Sequence, residues 1–181
     1  MERSDAELIR ECLGGDNGSF DCLVKRYQQR VLSLSYRILG DREQAADAAQ
    51  KTFVKAYYAL RGFKHEANFL TWLFKIANNT CFDMARQRRK HPTDLLDESM
   101  ESNEASPEDA VMRSERERLI RRAVLDLPVK YRVPLILFHF DAMSIKDISQ
   151  ALEQPEGTVK SILHRAREML RGTLEGLVVE V

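Results

Sequence analysis

Apolar positions recur every third or fourth residue along most of the chain, the spacing that lines one face of an α-helix. Phe20, Leu23, Val24, Tyr27, Val31, Leu34 and Ile38 form one such stripe, and Ala45, Ala49, Phe53, Ala56, Tyr57 and Leu60 form the next. The few β-branched runs are short and helically phased, so the chain reads as all-α. Punctuation sets the boundaries. A first helix over about residues 5–13 stops at Gly14 and Gly15, and a second from near Ser19 stops at Gly40. A third opens at Asp41, residues 61–66 read as a polar loop, and a fourth over about 67–90 is closed by Pro92. Four helices on short connections predict one compact bundle over residues 1–91.

Residues 92–112 break this pattern. They contain Pro92, Pro107 and three serines and keep no sustained period, so they read as a linker. Beyond it, helical segments fit residues 113–127, 129–140, 144–153 and 155–174, a second small domain over 113–175 with 176–181 as a frayed tail.

With 44% hydrophobic and 31% charged residues, the composition is that of a globular chain. Lys plus Arg and Asp plus Glu number 28 each, which argues against a nucleic-acid binder acting through overall charge. The distribution changes that picture: every charged residue of the linker is acidic, offsetting basic surplus on either side. Residues 86–90 and 113–122 therefore remain candidates for phosphate contact.

Cys12, Cys22 and Cys81 lie far apart with no CxxC and no histidine at metal-ligand spacing, and read as buried free thiols. No metal or cofactor is expected. The first residues carry both signs of charge and no apolar run approaches a membrane span, so a cytoplasmic protein without membrane insertion is expected. No Gly-rich phosphate loop, HExxH, GxSxG or paired His and Cys is present, so no catalytic residue is expected.

Ser144 followed by Asp147 reads as a capping box opening a short helix with Ile145, Ile148, Ala151 and Leu152 on its inner face. A turn at Glu153 and Gln154 leads to Pro155, suited to the first turn of the next helix. There Val159, Ile162, Leu163, Ala166, Met169 and Leu170 commit one face to the core, while Lys160, Ser161, His164 and Arg165 occupy the other. Gly157 reads as a close-approach position. Short and cationic groups on one helix face suit a helix lying in a major groove, although spacing alone leaves an αα-hairpin with a solvated face equally open.

Residues 155–161, PEGTVKS, followed by His164, Arg165, Ala166 and Arg167, resemble the region-4 recognition helix of extracytoplasmic-function sigma factors. Leu127-Pro128 and Tyr131-Arg132 resemble the segment preceding it. The resemblance implies that Thr158, Lys160, Ser161, His164, Arg165 and Arg167 bind minus-35 DNA. Ile162 stands where that family often has Arg, and its place in the apolar stripe assigns it to packing.

Phe63, Lys64, His65, Asn68 and Phe69, followed by Trp72, Asn78 and Asn79, concentrate aromatic and amide groups at a loop-to-helix junction. Such groups can hold an unstacked base, though by spacing alone core aromatics beside an ordinary loop fit better. The stretch resembles region 2 of the same family, which captures a flipped minus-10 base. Carried over, Phe63, Lys64, His65 and Asn68 belong to the capture loop, and Asn79, Asp83 and Arg86 to the adjoining helix.

Asp47, Gln50 and Phe53 resemble the segment of that family that docks on core RNA polymerase, with Lys51 at a usually acidic position and Tyr36 and Arg37 completing the surface. Tyr27 and Arg30 lie on the same neighbouring helix. By the resemblance the partners are the clamp helices of the largest polymerase subunit, the flap of the second-largest, promoter DNA and an anti-sigma protein that could hold the chain at a membrane. The linker would lie near the RNA-exit path, or act as a plain solvated tether. A polymerase-independent helix-turn-helix regulator is the alternative from another class.

Overall fold

The computed structural model describes residues 3–64, 67–90 and 107–179, with the backbone alone for 88–90, 107–114 and 177–179. Among the described residues the regular structure is entirely helical: α1 (Asp5–Leu13), α2 (Asn17–Leu39), α3 (Arg42–Ala59), a single 3₁₀ turn (Leu60–Gly62), α4 (Phe69–Lys90), α5 (Pro107–Asp126), α6 (Val129–His139), α7 (Ile145–Leu152) and α8 (Glu156–Val179).

Local chemistry explains the boundaries. Ser4 and Glu7 form a reciprocal capping box at α1, and Asp16 and Asp41 accept the N–H groups of Gly18 and Gln44 at the starts of α2 and α3. Helix α2 ends at Gly40, whose φ of 77° lies in the left-handed region. A Cβ there would also come within 2.9 Å of Leu125 Cδ2, so this glycine both ends a helix and admits α5.

Leu23, Val31, Leu34 and Ile38 of α2 pack with Ala48, Phe53 and Ala56 of α3 and Leu73, Phe74 and Ala77 of α4. Small residues on α3 let its backbone approach α2, and each large side chain fully buried there contributes about 1.5–3 kcal/mol. Cys81 is buried in this core and its thiol is pushed up to about 11 by desolvation, while Cys12 and Cys22 are half-buried; all three are free.

Two expected boundaries move. Helix α5 begins at Pro107 and not near Arg113, because proline suits a first helical turn where its missing N–H costs nothing. Helix α8 runs through Gly172 and Gly176 to Val179, into the expected tail and beyond the half-buried Thr173 and Leu174. The rest of the expected linker, residues 92–106, lies outside the described residues, as does residue 91.

Helices α5 to α8 form the second unit, and it packs on the first. The Arg132 guanidinium donates to the carbonyl of Ile38 as well as to those of Leu125 and Leu127, tying the end of α2 to the α5–α6 turn. Arg121 donates to the Tyr36 hydroxyl at 2.7 Å, Arg37 lies 4.9 Å over the Phe140 ring, and Lys75 pairs with Glu153 at 2.8 Å. Asp141, in the turn after α6, is largely desolvated, which raises its carboxyl above the usual value against the opposing pull of Arg37 and Arg30.

Candidate nucleic-acid interface

Helix α7 opens at Ser144, whose hydroxyl accepts the Asp147 N–H at 3.1 Å. The Asp147 carboxylate accepts the Ser144 hydroxyl proton at 2.6 Å, so only half of the expected capping box forms. Aspartate is one methylene shorter than the glutamate that completes the box at α1. Glu153 then reverses the chain in left-handed conformation, its N–H donating to the Ser149 carbonyl, and Pro155 introduces α8.

In α8 Val159, Leu163 and Ala166 are buried and Ile162 and Leu170 half-buried, which places Ile162 in packing. Met169, expected on the same stripe, is 41% exposed: at 100° per residue it falls at the margin of the face that Val159, Leu163 and Ala166 bury. Gly157 is not a close-approach position either, since a Cβ there would meet nothing within 4 Å.

Thr158, Lys160, Ser161, His164 and Arg165 are exposed on the side opposite the buried stripe. The Ser161 hydroxyl donates back to the Gly157 carbonyl at 3.0 Å, and His164 lies 3.4 Å from the Glu168 carboxylate. Arg165 lies beside the Tyr131 hydroxyl and lowers that phenol below its ordinary value. Arg167 leaves the row: its Nε donates to His139 Nε2 at 3.3 Å and its guanidinium stacks 5.1 Å over Phe138. It borders an open apolar groove of about 810 Å³ between Ile120, Val124, Leu135, Leu170 and Leu174.

In the first unit Phe63 is not a free loop aromatic. It is 9% exposed and packs against Phe69 at 5.9 Å and Trp72 at 5.2 Å, with Tyr27 closing the cluster against Phe69. The Tyr27 hydroxyl donates to Asp5, and burial with that bond pushes the phenol up to about 12. Lys64 and Asn68 are exposed, and the Asn68 side-chain carbonyl accepts the Thr71 N–H at 2.7 Å, capping α4. His65 lies outside the described residues.

Along α4 the adjacent amides divide. Asn78 is fully buried with no hydrogen-bond partner among the described residues, whereas Asn79 is exposed in line with Asp83 and Arg86, which pair at 3.3 Å. Lys75, on the same flank, is held by Glu153.

On α3, Gln50 and Lys51 are exposed and Asp47 is half-buried, with Lys51 and Asp47 paired at 2.7 Å. Phe53 is buried in the core and presents nothing to a partner; Val54, at 51% exposure, is the apolar group beside that row. Tyr36 and Arg37 already touch the second unit. Val54 and Tyr58 belong to no sequence motif, although both fall off the stripe that fills the core.

The sigma-70 region 2 family matches residues 23–91 and the sigma-70 region 4 family residues 117–170. An RNA polymerase sigma-H factor of Pseudomonas aeruginosa is 36% identical, over 99% of this chain and 98% of its own length. The sigma factor SigW of Bacillus subtilis, an extracytoplasmic-function (ECF) protein, is 35% identical over 98% and 100%. Among solved structures, CnrH in complex with the cytosolic domain of CnrY superposes with a TM-score of 0.70 at 24% identity, covering 93% of this chain and 96% of that one. RpoE of Bartonella quintana, in complex with the anti-sigma factor NepR, gives 0.70 at 20% identity over 86% and 96%.

Proposed function

The chain belongs to the extracytoplasmic-function sigma factors of the sigma-70 family, and from that membership we propose how its two units divide promoter recognition. It is an alternative sigma factor that directs transcription initiation. In the proposed division, residues 1–91 anchor to core polymerase and hold melted minus-10 bases, and residues 113–175 read the minus-35 duplex. The mechanism is positional, and no residue is assigned a catalytic step.

One observation carries the duplex-reading half: Lys160, His164 and Arg165 stand outward from a helix whose opposite face is core. The rotamers of Lys and Arg reach phosphates and base edges from such a position, and the buried face fixes their direction. Thr158 and Ser161 contribute short hydroxyls at the leading end. Arg167 acts as a prop for α6 in this reading, not as a base contact.

In the first unit Lys64, His65 and Asn68 supply the capture loop and Asn79, Asp83 and Arg86 the strand-tracking face. Phe63 supports that loop from beneath through its contacts with Phe69 and Trp72. Asp47, Gln50 and Lys51 meet the clamp helices, joined by Tyr36 and Arg37 once the second unit moves away, and the flap of the second-largest subunit meets the second unit. Residues 92–106 tether the two. The protein works in the cytoplasm, and an anti-sigma protein holds it inactive; the support is that RpoE of Bartonella quintana, which shares its fold, is solved in complex with the anti-sigma factor NepR.

The test is in vitro transcription from a promoter library by core polymerase of the source organism, with and without this chain. Protein-dependent start sites sharing two spaced elements are expected. Specific duplex binding by the chain alone, with no new start site, would overturn the reading.

A further inference from the structure

Tyr58 is the most exposed large hydrophobic side chain among those resolved, at 79%, so its ring contributes almost nothing to the core. It is nevertheless braced. Tyr57 meets it edge to face at 5.7 Å, and Tyr57 is itself held by its hydroxyl bond to Asn17 at 2.8 Å and by Phe20 at 5.1 Å. An aromatic face already held on a fixed support loses little further conformational freedom when a base stacks on it.

Its surroundings specify the ligand. Tyr58 lies one turn before the loop that contains Lys64 and Asn68, with Lys55 three residues before it and Arg61 three residues after. The Lys55 ammonium donates to the Thr80 hydroxyl at 3.1 Å, which ties this flank of α3 to α4. An exposed ring with a cationic residue three positions to either side and a further lysine in the loop that follows matches the stacking platform and backbone-tracking charge that unpaired nucleic acid requires.

We propose that Tyr58 is a stacking platform for an unpaired base of the melted promoter strand, with Lys55, Arg61 and Lys64 neutralising the flanking phosphates. This rests on the sigma-factor reading and adds to the capture loop a residue on α3. Stacking on a phenol tolerates any base, so Tyr58 stabilises the open strand without choosing its sequence, leaving discrimination to the loop and α4.

The experiment uses holoenzyme reconstituted with wild-type, Tyr58→Ala or Tyr58→Phe protein. The promoter carries 2-aminopurine at successive non-template positions of the melted segment. In wild type one position is expected to be quenched by stacking. Tyr58→Ala should relieve that quench and shorten the open-complex lifetime about tenfold, the size of one base–aromatic stack. Tyr58→Phe should retain both, and affinity for core polymerase should be equal in all three. An unchanged quench and lifetime in Tyr58→Ala overturns the proposal, as does a matching loss of core affinity, which would make the ring a protein contact. If the wild type melts no promoter, the sigma-factor reading itself fails; if it melts promoters and Tyr58→Ala does so equally well, the stacking inference alone fails.

Discussion

In the second unit the side chains assigned to DNA hang from the outer face of α8, while Val159, Leu163 and Ala166 hold the inner face. In the first unit, aromatic residues from the equivalent motifs are themselves core: Phe63 packs on Phe69 and Trp72, and Phe53 is buried between helices. The difference separates two ways of building an interface. One attaches replaceable groups to a finished helix, and the other makes the scaffold and the surface from the same residues. Substitutions in the first unit should therefore mix stability with function, and those on α8 should not.

The largest expected effect tests that mixing. Phe63→Ala should lose about 3–5 kcal/mol of unfolding free energy by urea titration, the usual cost of emptying a core aromatic site. Arg165→Ala should stay within about 0.5 kcal/mol of wild type in the same titration. A Phe63→Ala protein of wild-type stability that fails only in melting would break the comparison, because the ring would then be a base contact.

A second pair sharpens the division of labour. Arg165→Ala is expected to weaken dependence on the upstream element by about 1–3 kcal/mol, read from promoter affinity with and without a consensus minus-35 sequence. Asn79→Ala should impair permanganate-detected melting while leaving affinity for the upstream duplex nearly intact. Equal losses of both functions in both variants would erase the distinction between the units.

The smallest effect concerns pH. Burial first, and then the neighbouring Arg167, lower His139 below its ordinary value of 6.5, so the folded protein prefers the neutral ring. A folded value below the unfolded one leaves stability intact above about pH 6.5 and removes some as pH falls through that value toward the lowered one. Because the ring is substantially exposed, the loss should be under about 0.5 kcal/mol after solvent screening. Thermal melts between pH 8 and pH 5 should show it, and His139→Gln should flatten that part of the profile.

Helix identity, the stripes of α2 and α3 and the turn before α8 were all legible in the chain, because each follows from periodicity or from a Gly, Pro or Ser at a defined position. Other features depend on what each stripe meets. Met169 continues an apolar spacing but falls at the margin of the buried face, and Gly157 has open space where a close neighbour was expected. Phe53 and Phe63 carried a resemblance that names residue types, not the direction each ring takes. The contacts between units were out of reach: Arg132 meets the Ile38 carbonyl across a sequence separation that no local pattern encodes. Tyr58 was within reach, since it falls off the α3 stripe, yet an exposed tyrosine acquires meaning only once its neighbours in space are known.

Tyr36 and Arg37 touch Arg121 and Phe140 of the second unit, and they also belong to the surface proposed for polymerase. One patch cannot hold both partners at once. The apparent affinity for polymerase then equals the intrinsic affinity scaled by the fraction of molecules whose patch is uncovered, so a population one-tenth open binds about tenfold more weakly. The Lys75–Glu153 pair, which helps to keep the patch covered, is partly exposed and worth on the order of 1 kcal/mol or less. Ionic strength therefore enters twice, loosening the units from each other while it weakens their grip on DNA.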